Sequence, residues 1–470
     1  MATQIKDDGS FEIMYGQKFT GINVQSPANL IADTDAVDIN NFIVRNAQIT
    51  SRPQFIPWST PALAGPAVLT GQGTFLSPAG FYHTFAFDSA GVLYNLNGIT
   101  KALAVIATLP TLQGILPVNW RVFNSILYWV NGSQSIGAWD GQLAAGGIIT
   151  SGVGVGGAGY AVGDTGTVTT GGANATYTVT SVVAGAVATF TITNSGSGYS
   201  ASSGNATSPG GAQPGGGNSA FTVNIFLVGI GPSQQVATVT TSSPGDTPLG
   251  ARYIGVLDQH VILANTVGNA SDGPFTVRWS AVGLPTVFDP TVNINAGFNI
   301  FIDFADEING MMFIGRVAYI FHRTGITEMS PTGVGTAPFD FNHIWNSQDG
   351  SGNVFPETIA QYGQMGAFVA TDNIYSVQNY QFSSIGGTAR DAIMADFSVA
   401  LTGVNNPQPI ATIVPGYASD FVYLTYQLCI PLSIGGPTVV WQYSFENGTW
   451  ERFTLTGEQV TGIPTFCLVQ

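Results

Sequence analysis

The chain has 470 residues, and its 27 acidic and 12 basic side chains give a formal net charge of -15. Only 8% of the residues are charged and 44% are hydrophobic, so the net charge reflects missing bases rather than abundant acids. A disordered acidic chain would contain few apolar residues, and the 11% aromatic content excludes that class. The length suggests two to four domains, or one large all-β domain with an added module.

The same composition argues against several kinds of function. Attraction to nucleic-acid phosphates needs clustered bases, whereas the three Lys and nine Arg are scattered singly. Cys429 and Cys467 cannot build a disulfide framework, and the first ten residues lack the pattern of a secretion signal. No run approaches the roughly 18 apolar residues of a spanning helix. We therefore expect a protein of a reducing cytoplasm without a membrane span.

Short strands followed by turns recur along the chain, whereas helical periodicity is scarce. The segments 91–98, 125–132 and 137–141 are apolar or aromatic runs that end in Asn-Gly or Asp-Gly, a typical hairpin pattern. The clearest hairpin spans 439–453, where Asn447 and Gly448 are expected to form a type I′ turn between two alternating strands.

The spacing of the hairpins predicts the architecture. Hairpin-rich units fall near 73–105, 118–143, 250–285, 306–332, 358–385 and 415–455. A β-propeller repeats such small antiparallel sheets radially, whereas sandwich strands seldom come as repeated hairpin units. We therefore predict an all-β protein, a β-propeller of about six blades, in preference to a large β-sandwich. The predicted divisions are N-terminal lead-in strands at 1–60, the first part of the propeller at 61–145, an insertion at 146–230 and the rest of the propeller at 231–470.

The predicted insertion differs from the rest of the chain in composition. Residues 151–220 contain 18 of the 60 glycines, and no Lys or Arg occurs between Arg121 and Arg252. Strand-like runs at 175–183 and 187–193 distinguish it from a flexible linker. The segments 156–160 and 175–179 recur at 196–199 and 219–223, at offsets of roughly 40 residues. This pattern predicts an ordered β module made of two copies of one small unit.

Acidic residues give two candidate sites, each weaker than its alternative. Asp33, Asp35 and Asp38 lie close in sequence but lack the glycine and terminal glutamate of a calcium loop, so a solvated turn is favoured. Asp303, Asp306 and Glu307 precede an apolar strand and could flank a glycosidic bond only with a carboxylate from another blade nearby. The segment 347–355 resembles the Asp-box of sialidase-type propellers with its glycine misplaced, and is interpreted as a loop.

Histidines and cysteines carry no catalytic or metal-binding pattern. His83, His260, His322 and His343 are isolated and are expected to be structural. The two cysteines lie in apolar strand contexts, which favours small buried side chains over reactive thiols. The sequence therefore predicts no catalytic residue, no metal site, no cofactor and no enzymatic activity.

Six segments on the two sides of the insertion share a pattern with one known family: 21–30, 40–53, 250–264, 277–290, 306–330 and 441–450. They resemble the tail hub or nozzle of short-tailed bacteriophages, the packaged-DNA stabilisation proteins. Within the fifth segment, 325–330 takes the place of a Thr-Ile-Glu-like stretch of that family. The Gly-rich insertion is similar to modules of phage tail proteins and departs from the plain hub pattern.

The resemblance implies a structural protein of the virion tail, assembled in the host cytoplasm. Six copies would form a ring below the portal and its adaptor, extend the channel for double-stranded DNA, and carry tail fibres or spikes. A conduit for DNA should not attract phosphates, which would explain the missing bases. The residues that line such a channel are not predicted. The alternative hypothesis is a carbohydrate-binding or polysaccharide-degrading propeller, suggested by the aromatic-rich blades and scattered Asp.

Overall fold

The fold is taken from a computed structural model. It describes residues 2–5, 11–14, 21–22, 35–36, 42–45, 48–51, 69–88, 90–96, 103–108, 118–132, 136–142, 146–210, 219–229, 231, 233–234, 250–268, 273–302, 306–345, 352–353, 355–402, 409–418, 421–432 and 438–455.

Six short strands precede the main body: β1 (Ala2–Ile5), β2 (Phe11–Met14), β3 (Gly21–Ile22), β4 (Asp35–Ala36), β5 (Phe42–Arg45) and β6 (Gln48–Ser51). β1 pairs with β2 and β5 with β6 in antiparallel fashion, while β3 and β4 are parallel.

The main body consists of six four-stranded antiparallel sheets, which we call blades 1 to 6. Blade 1 contains β7 (Leu69–Leu76), β8 (Tyr82–Asp88), β9 (Val92–Leu96) and β10 (Leu103–Thr108). Blade 2 contains β11 (Asn119–Phe123), β12 (Ile126–Val130), β13 (Gly137–Trp139) and β20 (Ser233–Gln234). Between β13 and β20 lie the strands of the insertion: β14 (Ile148–Ala158), β15 (Thr165–Val168), β16 (Thr176–Val183), β17 (Ala186–Asn194), β18 (Ser202–Pro209) and β19 (Ser219–Val228).

The remaining blades follow in chain order. Blade 3 contains β21 (Gly250–Leu257), β22 (His260–Val267), β23 (Thr276–Trp279) and β24 (Gly297–Ile300). Blade 4 contains β25 (Ile308–Ile314), β26 (Val317–His322), β27 (Ile326–Val334) and β28 (Ala337–Trp345). Blade 5 contains β29 (Ala360–Tyr362), β30 (Met365–Val369), β31 (Ile374–Gln378) and β32 (Gln381–Ser384). Blade 6 contains β33 (Ile410–Ala418), β34 (Phe421–Pro431), β35 (Thr438–Ser444) and β36 (Thr449–Leu455). β3 and β5 lie next to β36 of blade 6.

The six blades form a β-propeller. Within each blade the spatial order of the strands follows the chain, and buried clusters join blade 1 to 2, 2 to 3, 3 to 4, 4 to 5 and 5 to 6. The first strand of every blade lines one shared central cavity, which places these six strands innermost around a common axis. The predicted propeller is therefore confirmed, and the sandwich alternative is wrong.

Glycines in one blade admit large side chains from the next blade. A Cβ atom on Gly73 would lie 2.3 Å from the Trp120 ring, and one on Gly255 would lie 1.8 Å from the Phe313 ring. Gly366 meets Met312 in the same way, at 2.1 Å from its sulfur. Because real side-chain contacts need more than 3 Å, only glycine fits at these positions. Glycine in these blades therefore sets how closely the sheets approach.

The turns differ from the expected Asn-Gly pattern. Residues 445–448 join β35 to β36 as a four-residue loop, because the Ser444 carbonyl accepts the Gly448 N–H at 2.8 Å and the Ser444 hydroxyl accepts the Asn447 N–H at 3.2 Å. Only Gly448 has a positive φ there, so the predicted hairpin is confirmed and its predicted type I′ turn is wrong. Two consecutive positive φ angles occur instead at 124–125, 184–185, 258–259 and 379–380.

The six strands β14 to β19 form a separate sheet, the inserted module, in the order β14-β19-β18-β15-β16-β17. If β14, β15 and β16 are exchanged with β17, β18 and β19, the same order results, read from the other edge of the sheet. This symmetry is the arrangement expected for two copies of a three-stranded unit. The first strand of each unit pairs with the last strand of the other. Each unit therefore completes its sheet only with its partner, and Tyr160, Tyr177, Tyr199 and Phe221 share one core.

One α-helix, α1 (Arg390–Thr402), appears in the described residues where the sequence pattern did not predict it. Ile393, Phe397 and Ala400 are buried at helical spacing in the core between blades 5 and 6. Asp396 accepts a hydrogen bond from the Trp441 indole N–H at 2.8 Å, and its carboxylate lies 3.4 Å from Arg452. The helix therefore closes the gap between these two blades.

Replacing Gly255 by Ala should lower the free energy of unfolding by about 1–3 kcal/mol, because the added methyl group overlaps the Phe313 ring. Gly273→Ala is the matched control, since no atom lies within 4 Å of a Cβ at that position. Urea unfolding of the two variants measures the difference. Equal stability of the two variants would contradict the proposed glycine constraint.

Candidate functional site

The central cavity, which we call the axial cavity, has a volume of about 290 Å³. Its walls come from the first strands of all six blades and from a 3-10 turn, Pro356–Thr358, that precedes blade 5. Its polar lining residues are Gln72, Asn119, Arg121, Tyr253, Glu357 and Gln361, and its apolar ones include Met311, Ile359, Ala360, Ala411 and Ile413. A cavity of this size with a few convergent polar groups is typical of a small-molecule site.

Arg121, in β11, brings a positive charge to the axial cavity. Its Nη1 donates to the Trp120 carbonyl at 2.8 Å, and its guanidinium carbon lies 5.9 Å from the centre of the Phe313 ring. Within the described part of the chain, Arg121 forms no ion pair. Burial lowers the pKa of Arg121, because removal from water disfavours its charged form.

Glu357, which lines the cavity, is paired with Arg252 of β21, which is not itself a lining residue. Nη2 of Arg252 lies 3.9 Å from Oε1 of Glu357, and the two side chains are 22% and 12% exposed. Neither this Glu357 oxygen nor Arg252 Nε has a hydrogen-bond partner in the described structure. Burial raises the pKa of Glu357 to about 7, although the Arg252 charge opposes the shift. The carboxyl group therefore changes its charge near neutral pH.

Tyr253 and Asn119 add two neutral hydrogen-bond donors. Tyr253 is 4% exposed, and its hydroxyl and the Asn119 amide nitrogen have no hydrogen-bond partner among the described residues. Arg252 lies 5.3 Å from the centre of the Tyr253 ring. Burial, followed by the Glu357 charge, raises the pKa of Tyr253 well above its ordinary value. Tyr253 is therefore protonated at neutral pH and can donate its hydroxyl proton.

The turn that carries Glu357 is held by hydrogen bonds from two sides. The Thr358 hydroxyl donates to the Phe355 carbonyl at 2.7 Å, and the Tyr426 hydroxyl of blade 6 donates to the Thr358 carbonyl at 2.7 Å. Pro356 at the first position favours the turn, because its φ angle is fixed. The position of Glu357 is therefore set by the packing of neighbouring blades.

Asp306 and Glu307, the predicted acidic candidates whose side chains are described, do not line the axial cavity. Asp306 Oδ2 accepts the Thr324 hydroxyl at 2.9 Å, and Glu307 accepts the Asn265 amide at 3.4 Å. Asp303 and most of 347–355 lie outside the described residues, as do the side chains of Asp33, Asp35 and Asp38. Cys467 also lies outside them.

Two of the four histidines lie close together although they are distant in sequence. The Thr327 hydroxyl lies 3.3 Å from Nε2 of His322 and 2.8 Å from Nδ1 of His343. Burial, and then the charge of His343, lowers the pKa of His322 to about 3. Among the described residues no group of three His, Cys, Asp or Glu could hold a metal ion. Burial raises the pKa of the Cys429 thiol, which keeps it protonated.

Sequence reasoning missed the residues of the axial cavity. Arg121 and Glu357, which line it, and Arg252, which pairs with Glu357, are single charged residues among apolar or neutral neighbours, and only the propeller topology brings them together. The available signal is the position of Arg121 and Arg252 in the first strand of a blade, since the first strand is the innermost.

The inserted module begins and ends at adjacent points of blade 2. The Gly146 N–H donates to the Gly229 carbonyl at 2.7 Å, and the Gly229 N–H donates to the Gly147 carbonyl at 2.6 Å. Residues 146–230 contain a single charged residue, Asp164, which is fully buried and accepts the Ala161 N–H at 2.9 Å. The module therefore carries no charged side chain on its surface.

No protein-family model matches the sequence, and no curated protein matches it. Solved structures resemble it over 86% of the chain. The dihydro-heme d1 dehydrogenase NirN in complex with DHE matches with 7% identity and a TM-score of 0.36, over 57% of its own chain. Two structures of AztD from Citrobacter koseri match over 86% and 88% of their chains, with 8% and 11% identity and TM-scores of 0.32 and 0.31, the second being the apo form.

The chain spans less than two thirds of NirN. None of these three structures is of a bacteriophage tail protein, so the resemblance to tail hubs stays a prediction. In the described residues, no helix has the length and apolar character needed to cross a membrane.

The raised pKa of Glu357 predicts a pH-dependent stability. An exposed Glu binds its proton near pH 4.5, whereas folded Glu357 does so at about 7, so the stabilisation from this proton is complete below 4.5 and is lost as the pH rises through 7. Glu357→Gln should therefore reduce the fall in unfolding free energy between pH 5 and 8 by up to about 3 kcal/mol. Urea unfolding at both pH values measures it.

Glu446→Gln, which alters an exposed carboxylate in the β35–β36 loop, is the matched control and should keep the wild-type difference. An unchanged pH dependence in Glu357→Gln would show that Glu357 is ionised throughout this range.

Proposed function

We propose that the protein is a structural component of a short-tailed phage tail, a hub or nozzle whose copies form a ring that extends the DNA channel below the portal and adaptor. In this role it retains the genome and conducts it during ejection, and it carries fibres or spikes. The observation that carries the proposal is that the segments of the resemblance in blades 3, 4 and 6 coincide with strands and hairpins of those blades. Residues 250–264 and 277–290 contain β21 and most of β22 and β23 of blade 3, and 306–330 contains β25, β26 and the first half of β27 of blade 4. Residues 441–450 cover the turn between β35 and β36 with the adjoining strand ends.

The location of the basic residues supports a conduit for DNA. Among the arginines whose side chains are described, Arg278 is fully buried and Arg121, Arg252 and Arg452 are partly buried. Arg390 is also partly buried and lies 2.8 Å from Asp391, whereas Arg316 and Arg323 are exposed, with Arg316 3.5 Å from Asp258. Among the described arginines, few are therefore left to attach phosphates, and six copies at -15 each carry a formal -90.

The axial cavity is too small to be the DNA channel. Its volume of about 290 Å³ is that of a pocket for a small molecule, so a channel for duplex DNA must lie between copies of the chain. The proposal therefore requires self-association, and the ring must be built from surfaces on the outside of the propeller.

Exposed apolar side chains on blade 3 support this self-association. The connection between β23 and β24 exposes Val282, Leu284, Val292 and Ile294, with exposed fractions between 47% and 63%. Several exposed apolar side chains within one connection are typical of protein interfaces when they form a patch. Interface cores are also depleted in charged residues, which agrees with the low charge content of the chain.

The inserted module supports a role in attaching further tail proteins. It lies in the connection between the third and fourth strands of blade 2, and its two ends are hydrogen-bonded to each other. An element anchored in this way can vary without disturbing the blades, because connecting loops on a rigid scaffold tolerate insertion. We assign to it the binding of fibres, spikes or a receptor, and to the propeller the formation of the ring.

Electron microscopy and light scattering of the purified chain should show a sixfold ring with a central channel. In an electrophoretic mobility-shift experiment at 50 mM salt, the ring should not retard duplex DNA. Val292→Asp combined with Ile294→Asp should abolish the ring, because charges would be buried in the interface. Val183→Asp, which changes an exposed valine of the inserted module, is the matched control and should keep it. A chain that stays monomeric and does not bind portal and adaptor complexes would contradict the proposal.

Replacing residues 148–228 by a short Gly-Ser linker should leave ring formation intact and shift the melting temperature of the propeller by only a few degrees. The reason is that Gly147 and Gly229 already lie within hydrogen-bonding distance. Adsorption to host cells, or attachment of fibres and spikes, should be lost. Failure of the shortened chain to assemble would contradict the separation of the two roles.

A further inference from the structure

The axial cavity combines positive charge with unused hydrogen-bond donors. Arg121 has no ion-pair partner among the described residues, while Arg252 is opposed by Glu357 alone. Burying a charged side chain without a counter-ion costs free energy, because the lost hydration is not replaced. An anion in the cavity would neutralise the charge and also accept hydrogen bonds from the guanidinium group. The Asn119 amide and the Tyr253 hydroxyl add two further donors to the same cavity. Every one of these groups except Glu357 favours a negatively charged ligand.

We propose that the axial cavity binds a small oxyanion, with Arg121 neutralising its charge and with Asn119 and Tyr253 donating hydrogen bonds to its oxygens. Guanidinium groups bind carboxylate and phosphate-like oxyanions through two parallel hydrogen bonds in a planar, bidentate arrangement. Tyr253 is 4% exposed and its hydroxyl has no partner among the described residues, so this donor is free to bind a ligand that enters the cavity. The site is separate from the surfaces that the tail-hub proposal uses.

The apolar walls restrict the ligand further. Met311, Ile359 and Ile413 line the cavity beside the charged groups. A bare inorganic oxyanion would leave this apolar surface in contact with water, whereas an organic acid with a compact apolar body would cover it. The volume of about 290 Å³ accommodates a ligand of the size of a small aromatic or aliphatic carboxylate. We therefore expect a carboxylate of this class to bind more tightly than sulfate.

The charge state of Glu357 couples ligand binding to pH. Facing it are Arg252 and Tyr253 from β21, and Arg121 lines the same cavity from β11. β25, β30 and β33, which pack against the turn, contain no charged residue, and Tyr426 of β34 donates to the neighbouring Thr358. Ionised Glu357 repels an anion, whereas protonated Glu357 can donate to it. Anion affinity should therefore fall as the pH rises through 7.

Isothermal titration calorimetry of the full chain, in a buffer with no other oxyanion, tests the site with benzoate and with sulfate. The wild-type chain should bind one equivalent, with benzoate tighter than sulfate. Arg121→Gln should weaken binding at least tenfold and Tyr253→Phe about threefold. Arg316→Gln is the matched control, because its side chain is 77% exposed on the turn between β25 and β26, and it should bind as the wild type does.

Absence of saturable binding of both anions would overturn the proposal, since water alone would then fill the cavity. Unchanged affinity in Arg121→Gln would overturn it equally. If Arg121→Gln does not fold, Tyr253→Phe and Asn119→Ala decide, and wild-type affinity in both would rule the site out.

Sulfate, which does not titrate between pH 6 and 8, serves for the pH series. The wild-type affinity should fall over that range, and Glu357→Gln should abolish the dependence. An equal pH dependence in Glu357→Gln would remove Glu357 from the site. Ring formation is measured separately, so failure of anion binding would not contradict the tail-hub proposal. Failure of ring formation would likewise not contradict the proposed anion site.

Discussion

The close approach of neighbouring blades depends on pairing a glycine in one sheet with a bulky side chain in the next. Trp120 over Gly73 and Phe313 over Gly255 bring the innermost strands of consecutive blades together, and Met312 of β25 meets Gly366 in the second strand of blade 5. Close packing of this kind leaves no space that a rearranged side chain could use. These contacts therefore set the spacing of inner strands in blades 1 to 4, which contribute to the walls of the axial cavity.

The blades were accessible from the sequence, because hairpins recur with alternating apolar residues and turn-forming residues between them. The types of the turns between the strands could not be predicted from the sequence. Asn124, Asp258 and Asn379 open the primed turns without a following glycine, while Asn447 precedes a glycine and yet lies in a four-residue loop. Side chains of Asn and Asp tolerate the left-handed conformation, so the glycine is not required. The local pattern therefore marks a turn without determining its type.

The axial cavity lay beyond sequence reasoning for a different physical reason. Arg121 and Glu357 are more than 200 positions apart, and each stands alone among uncharged neighbours. They come together only because the blades are arranged around a common axis. The local pattern of apolar residues carries no information about contacts between distant blades. Helix α1 was missed because its buried residues, Ile393, Phe397 and Ala400, cover only two turns, which is too short for the periodicity to stand out from the surrounding strands.

The uncharged surface of the inserted module has a consequence for the environments in which it can work. Electrostatic attraction between proteins weakens as salt is added, because ions screen exposed charges within about 10 Å at 0.1 M. A module whose one carboxylate is buried has no exposed charge to screen. A partner of the module must therefore be bound through hydroxyl and amide hydrogen bonds and through apolar contacts. The affinity of such binding depends little on ionic strength.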